Sequence, residues 1–247
     1  MAIEILEVIS RSEQGITKPY ICRASDNLVY YVKSSELSNR ERCAELISNR
    51  LAHLFGLPVA KAIVVDIPSS LLGDISNNLD YSGLKAGPAF ASERQIASDI
   101  YYSNVASVPF DQRCDIFIFY RWIRNSDRTL SKLGGNPNML WEPKENNLIL
   151  IDHNLAFDVN FDHKEFYTSH VFANEPMGLI TCEHEIESSQ ERRQYYEGLF
   201  EKTLSSWNDI VAELPDEWLT ANATVNTDDF RDLLEEYRLN SFWKTSE

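Results

Sequence analysis

The chain has 247 residues, enough for one sizeable domain or two small lobes, with 43% apolar and 25% charged residues, ordinary values for a globular protein and too rich in apolar side chains for a disordered one. No run of about 18 apolar residues occurs, and the start Met1-Ala2-Ile3-Glu4 has neither the basic nor the apolar part of a secretory signal; neither a membrane span nor membrane association is expected. A formal charge of −15 argues against direct, charge-driven binding to nucleic acid, though local cations can still serve a phosphate ligand.

Four cysteines, Cys22, Cys43, Cys114 and Cys182, are scattered without a C-x-x-C pair. That pattern fits buried thiols in a reducing, cytoplasmic setting better than disulfides. Cys182-x-His184 has the spacing of half a metal site, but no matching half is seen, so a zinc site is not expected.

In chain order, residues 3–9, 20–24 and 28–32 are rich in β-branched and aromatic side chains and predict three strands. Residues 10–19, with Gly15 and Pro19, form a polar turn between the first two. It is either an ordinary hairpin or a loop whose backbone N–H groups cover a phosphate. Cys43, Ala44, Ile47, Leu51, Leu54 and Phe55 recur at helical spacing and predict a helix over 39–55, stopped by Gly56 and Pro58. Residues 60–67 predict a further strand or strand pair. Glycines and a proline at 73, 83, 87 and 88 break the pattern that follows, so residues 69–109 read as a linker with short helices, part of a substrate groove. Residues 111–123 predict a helix whose second half is apolar nearly all round and hence deeply buried, with Asp115 and Arg121 needing partners. Short apolar runs at 138–141 and 147–151 predict two strands, and residues 188–214 and 228–243 predict amphipathic helices. The expected architecture is α+β: a β-rich lobe of residues 1–68, a larger helical lobe of residues 69–247, and a cleft between them.

Chemistry concentrates in an ordered set. Asp127 stands in Asn125-Ser126-Asp127-Arg128; Asn136 and Asn138 stand in Gly135-Asn136-Pro137-Asn138; Asp152 ends an apolar strand. Phosphoryl-transfer enzymes of the kinase type use Asp, Asn and Asp in this order. The first Asp accepts the substrate proton; the Asn and second Asp hold Mg²⁺ on the ATP phosphates. Either asparagine can supply the amide oxygen, with Asn136 favoured by its place at the loop end. Lys33, ending the third strand, can reach the phosphates, and Glu45 on the following helix can aim its ammonium. Two features depart from conventional protein kinases. Asn136 lies nine residues after Asp127, farther than in H-R-D-x-x-x-x-N, and Asp152 is followed by His-Asn instead of Phe-Gly.

These motifs resemble the HipA-like kinases, especially the short, single-unit group. The likeness runs over most of residues 5–158. It includes Gly15-Ile16-Thr17-Lys18-Pro19, Lys33, Glu45, Leu57-Pro58-Val59, residues 125–128, 135–141 and 151–157. The resemblance implies a two-lobed protein-kinase-like fold, Mg²⁺ and ATP as cofactors, and serine/threonine phosphorylation of a protein. It implies Asp127 as catalytic base, Asn136 and Asp152 as Mg²⁺ ligands, and Lys33, Glu45 and Gly15 at the ATP. It also implies autophosphorylation at Ser10, Ser12 or Thr17, and a regulatory or antitoxin-type protein as a second partner. With its first strand at Ile3, the chain is expected to lack the upstream small domain of larger relatives. The competing readings are a small-molecule or lipid kinase of the same fold, and a nucleotide-binding regulator without catalysis.

Overall fold

In the computed structural model, residues 2–13, 17–75, 79–173, 186–220 and 225–243 are described. Strands β1 (Ile3–Arg11), β2 (Tyr20–Ala24), β3 (Val29–Lys33), β4 (Ala62–Ile67) and β5 (Gly87–Glu93) form a closed barrel in the order β1-β2-β3-β5-β4. Ile3 and Glu4 pair in parallel with Val65 and Asp66 and complete the closure. Strand alternation fills the barrel: Tyr20, Cys22 and Ala24 of β2, Tyr30 and Val32 of β3, and Ala89 and Ala91 of β5 are buried together with Ile5, Val65 and Ile67.

Strand β5 lies inside the stretch read from sequence as linker. Gly87 and Pro88 look like breakers, but they occupy the strand's entry, where a proline costs no central ladder bond. Gly87 takes φ of 100°, and Pro88 pairs opposite Asp66 at the end of the β4–β5 ladder. Residues 89–91 then run fully buried. The barrel therefore extends to Glu93, past the boundary at residue 68 read from sequence. Helices do occur in the same stretch: α2 (Ser69–Ile75) and two 3₁₀ turns, Leu79–Tyr81 and Tyr102–Ser107.

Helix α1 (Asn39–Phe55) opens with a reciprocal Ser38–Glu41 capping box and ends at Gly56, whose φ of 92° is the left-handed cap that glycine adopts without strain. It is buried nearly all round, because the barrel strands β4 and β5 cover one side and C-terminal helices the other. Those, which follow the short α4 (His163–Ser169), are α5 (Ile186–Leu204), α6 (Trp207–Ala212) and α7 (Asp216–Thr220). The single helix expected over 188–214 is thus broken at Ser205 and Ser206. Ser205 Oγ donates to the Lys202 carbonyl at 2.6 Å, the local bond by which serine competes with helix continuation. Helix α8 (Thr227–Glu235) likewise stops short of 243 and continues as 3₁₀ turns, Glu236–Arg238 and Asn240–Trp243.

Helix α3 (Phe110–Trp122) runs through the main core as its composition predicts. The two polar residues singled out from sequence are accommodated: Asp115 accepts from Tyr196 Oη at 2.9 Å, and Arg121 packs 4.2 Å over Phe242 and 5.2 Å over Tyr167. A second sheet, β6 (Ser98–Asp99), β7 (Met139–Glu142) and β8 (Asn147–Leu150), is antiparallel in that order. Leu150 also binds the segment after α1, donating to Pro58 O at 2.7 Å and accepting from Ala60 at 3.1 Å. The barrel's helix and the strand leading to Asp152 are therefore joined directly. Among the described residues no helix is long and apolar enough to cross a membrane. Cys22, Cys43 and Cys114 are free and buried; Cys182 and His184 lie outside the described residues.

Candidate active site

Strand β3 carries Lys33 to the barrel's rim, where it pairs opposite Phe90. Its ammonium is 2.5 Å from Glu45 Oε1 of α1 and 2.8 Å from Asp152 Oδ1 after β8. Glu45 is 1% exposed, and its other oxygen accepts the backbone N–H of His153 at 2.7 Å. One helical carboxylate thus holds both the lysine and the chain segment that bears Asp152. Three elements far apart in sequence meet at one ammonium.

Burial works against a charged Lys33, but Glu45 and Asp152 outweigh it and hold its pKa above the usual lysine value. Burial pushes the Glu45 carboxyl up, against the pull of the Lys33 ammonium and with the charge of Asp152 adding to the rise. Burial also opposes the ionised form of Asp152, yet Lys33 and Arg128 overcome it and keep that carboxyl below the usual range.

Asp127 follows α3 on a loop and faces both asparagines. Asn136 Nδ2 donates to its two carboxylate oxygens at 3.0 and 3.1 Å. Asn138 Nδ2 donates to Asp127 Oδ2 at 2.8 Å and to its carbonyl at 2.9 Å. Asn125, buried, accepts the Asp127 N–H at 3.1 Å and shapes the turn. The long Asp127-to-Asn136 spacing is resolved by a small hairpin. Ser131 and Gly134 exchange backbone bonds at 3.0 and 3.1 Å, and Thr129 N–H donates to Asn136 O at 3.1 Å. The extra residues loop outward and return the asparagine to Asp127. Gly135 is required at the crossing, since a Cβ there falls 2.3 Å from Thr129 O.

Lys33, Glu45, Asp127, Asn136 and Asp152 are therefore brought into two hydrogen-bonded groups. Gly15 lies outside the described residues. The base of its loop is pinned, with Ser12 N–H donating to Pro19 O at 2.8 Å and Arg11 Nε to Lys18 O at 3.0 Å.

Arg128, Tyr120 and His153 form a third layer that sequence reading did not single out. Arg128 is fully buried and bonds the backbone on both sides of the Asn and Asp segments. His153 Nε2 lies 3.0 Å from Tyr120 Oη. Burial, with Arg128 beside it, depresses the His153 pKa well below the ordinary value, so the ring is neutral. The only signal in the sequence is a charged or polar residue flanking each apolar run, which any surface residue also gives.

Among the described residues no three His, Cys, Asp or Glu converge as in a closed metal site. A cation here has at most two carboxylates and amide oxygens, which is the sparse, hard-oxygen set that suits Mg²⁺ shared with phosphates. The residues present fit that group: Asp152 and Asn136 would hold it, and it would neutralise phosphate charge.

A strand lysine aimed by a helix glutamate, with an aspartate after a later strand beside it, resembles the arrangement that kinase-type phosphoryl transfer uses. The model of the HipA-like kinase family matches residues 5–246. The chain belongs to that family, and membership points to a kinase. A search of the curated proteins finds no match.

Proposed function

We propose that the chain is an Mg²⁺- and ATP-dependent kinase of two-lobed, protein-kinase-like fold that phosphorylates serine or threonine hydroxyls of a protein. In this reading residues 1–68, with β5 returning to them, cover the nucleotide, and residues 69–247 carry the catalytic loop, the metal ligands and the protein-substrate surface. The observation that carries it is the meeting of Lys33 with Glu45 at 2.5 Å and Asp152 at 2.8 Å, together with an Asp127 held by two asparagine amides.

Each residue has a distinct task. Lys33, aimed by Glu45, binds ATP phosphate oxygens. Asp152 and Asn136 are the Mg²⁺ ligands. Asp127, with its carboxylate oriented by Asn136 and Asn138, accepts the proton of the attacking hydroxyl. The rigid strand and helix placements suit a reaction whose catalysis is chiefly positioning and charge neutralisation. Free buried thiols and the acidic surface accord with a cytoplasmic protein whose partners are proteins, a substrate and a regulator of antitoxin type.

The test is intact-mass and phosphosite analysis after incubation with Mg²⁺ and ATP, with casein and myelin basic protein as added acceptors. Whole-phosphate gains on Ser or Thr in the parent, lost in Asp127→Asn while ATP binding persists, are expected. Asp152→Ala should instead weaken Mg²⁺-dependent nucleotide binding. Transfer that survives Asp127→Asn unchanged refutes the assignment of the base.

A further inference from the structure

Arg128 follows the candidate base directly, and its side chain is completely buried. One nitrogen, Nη1, donates to Asn138 O at 2.6 Å and Ile151 O at 2.6 Å, with Pro137 O farther off at 3.4 Å. The other, Nη2, donates to Asp152 O. The guanidinium lies 4.2 Å over the Tyr120 ring, and among the described residues no carboxylate forms an ion pair with it.

The position of these carbonyls matters. The β7–β8 ladder runs through Met139 opposite Leu150, and a last bond joins Ile151 N–H to Asn138 O at 3.1 Å. Beyond it the ladder ends. Asn138 and Asp152 both adopt left-handed backbone, with φ of 50° and 59°, a conformation that Asn and Asp tolerate best among residues with a Cβ. Arg128 sits at that fork and grips both prongs.

We infer that Arg128 is a positioning residue that sets the spacing between the two metal-ligating segments, Asn136-Pro137-Asn138 and Ile151-Asp152, and ties both to the loop of Asp127. A planar fork of five donors can reach carbonyls on two chains at once. A lysine offers a single point of charge and cannot. Burying a cation with no carboxylate in ion-pair contact, only the charge of Asp152 nearby, is costly, so a tie serving stability alone is better met by neutral groups. The cation's retention accords with a task at a site that collects negative charge.

This inference rests on the Mg²⁺–ATP reading above. Arg128→Lys keeps the charge and removes the fork. ATP binding is measured by calorimetry across a Mg²⁺ titration, alongside thermal melting and hydrogen exchange. The variant is expected to need about tenfold more Mg²⁺ or greater, the usual cost of losing a partner that orients a metal ligand. Its Mg²⁺-free ATP affinity should stay within about twofold, since that depends on Lys33 and Glu45 (a uniform local loosening predicts no such split). Exchange should quicken in residues 136–139 and 150–154 and not in α1. A folded Arg128→Lys protein with the parent's Mg²⁺ dependence overturns the inference. So does a melting temperature that falls while the Mg²⁺ requirement holds, which marks a purely structural tie. If Arg128→Lys does not fold, Tyr120→Leu, which removes the ring beneath the guanidinium, must shift the Mg²⁺ requirement in the same direction. A parent protein with no Mg²⁺-dependent ATP binding overturns the functional reading itself and this inference with it, and that result is visible before any variant is made.

Discussion

Replacing Glu45 with glutamine tests the buried centre with the smallest change of shape. The carboxylate accepts from Lys33 Nζ at 2.5 Å and from His153 N–H at 2.7 Å. Glutamine has one carbonyl oxygen, and its NH₂ must then face the other donor. Either the ammonium or the amide N–H loses its acceptor inside the core. Lys33 keeps Asp152 at 2.8 Å, so its charge is not stranded, and the full ~3–5 kcal/mol penalty of breaking an isolated buried pair does not apply. The loss is that of one charge-assisted bond, with a donor left unpaired, ~2–3 kcal/mol. For a chain of this size that lowers the melting temperature by roughly 4–12 °C. Glu197→Gln serves as the contrast. It removes a half-exposed i,i+4 pair with Arg193 at 2.8 Å, worth no more than ~0.5 kcal/mol. Urea denaturation of the parent and both variants gives the stabilities, and ATP titration shows whether Lys33 remains aimed. Glu45→Gln is expected to lose stability and at least about tenfold in ATP affinity, ~1.4 kcal/mol. A Glu45→Gln protein as stable as Glu197→Gln refutes the reasoning that Glu45 joins Lys33 to the Asp152 segment.

Gly135→Ala forces a Cβ to within 2.3 Å of Thr129 O and 2.8 Å of Leu130 Cα, so the hairpin must shift and take Asn136 with it. Turnover should fall by about tenfold or more, as expected for sub-ångström to ångström misplacement near a reacting group, with a much smaller change in melting temperature; full activity in steady-state assays contradicts this. Acid should destabilise the fold through two buried histidines. Burial, then Arg128, depresses His170 to about 3 and also depresses His153 below its ordinary value. A depressed folded-state pKa means that the unfolded chain takes up protons first as pH drops. Their contribution is therefore complete above pH ~6.5 and lost below it, at ~1.4 kcal/mol per pH unit for each ring. His170→Asn, which can still accept the Phe172 N–H that His170 Nδ1 accepts at 3.1 Å, should lose ~2 kcal/mol less than the parent between pH 6.5 and 5. Equal losses in urea melts at the two pH values exclude His170 as a source.

Much of this protein was legible locally. The alternation of Tyr20, Cys22 and Ala24, the helical spacing and cap of α1, and the apolar surface of α3 each state their own structure, because periodicity and capping act over a few residues. The resemblance carried by the order Asp127, Asn136, Asp152 was equally readable, and the family match over residues 5–246 agrees with that resemblance. Closure of the barrel was not. Strand β5 is recognisable as a strand only once β3 and β4 offer it two ladders, since Gly87 and Pro88 look like breakers when read alone. Nor could the sequence reveal that Glu45 holds the backbone of His153, or that Arg128 grips four carbonyls. Those bonds link residues up to 108 positions apart, and a charged side chain carries no local mark of the buried acceptors it will meet. Local chemistry determined most of the elements and named the candidate side chains; tertiary packing decided which of them share one ammonium, because only folding pays the desolvation that makes a buried charge choose its partners.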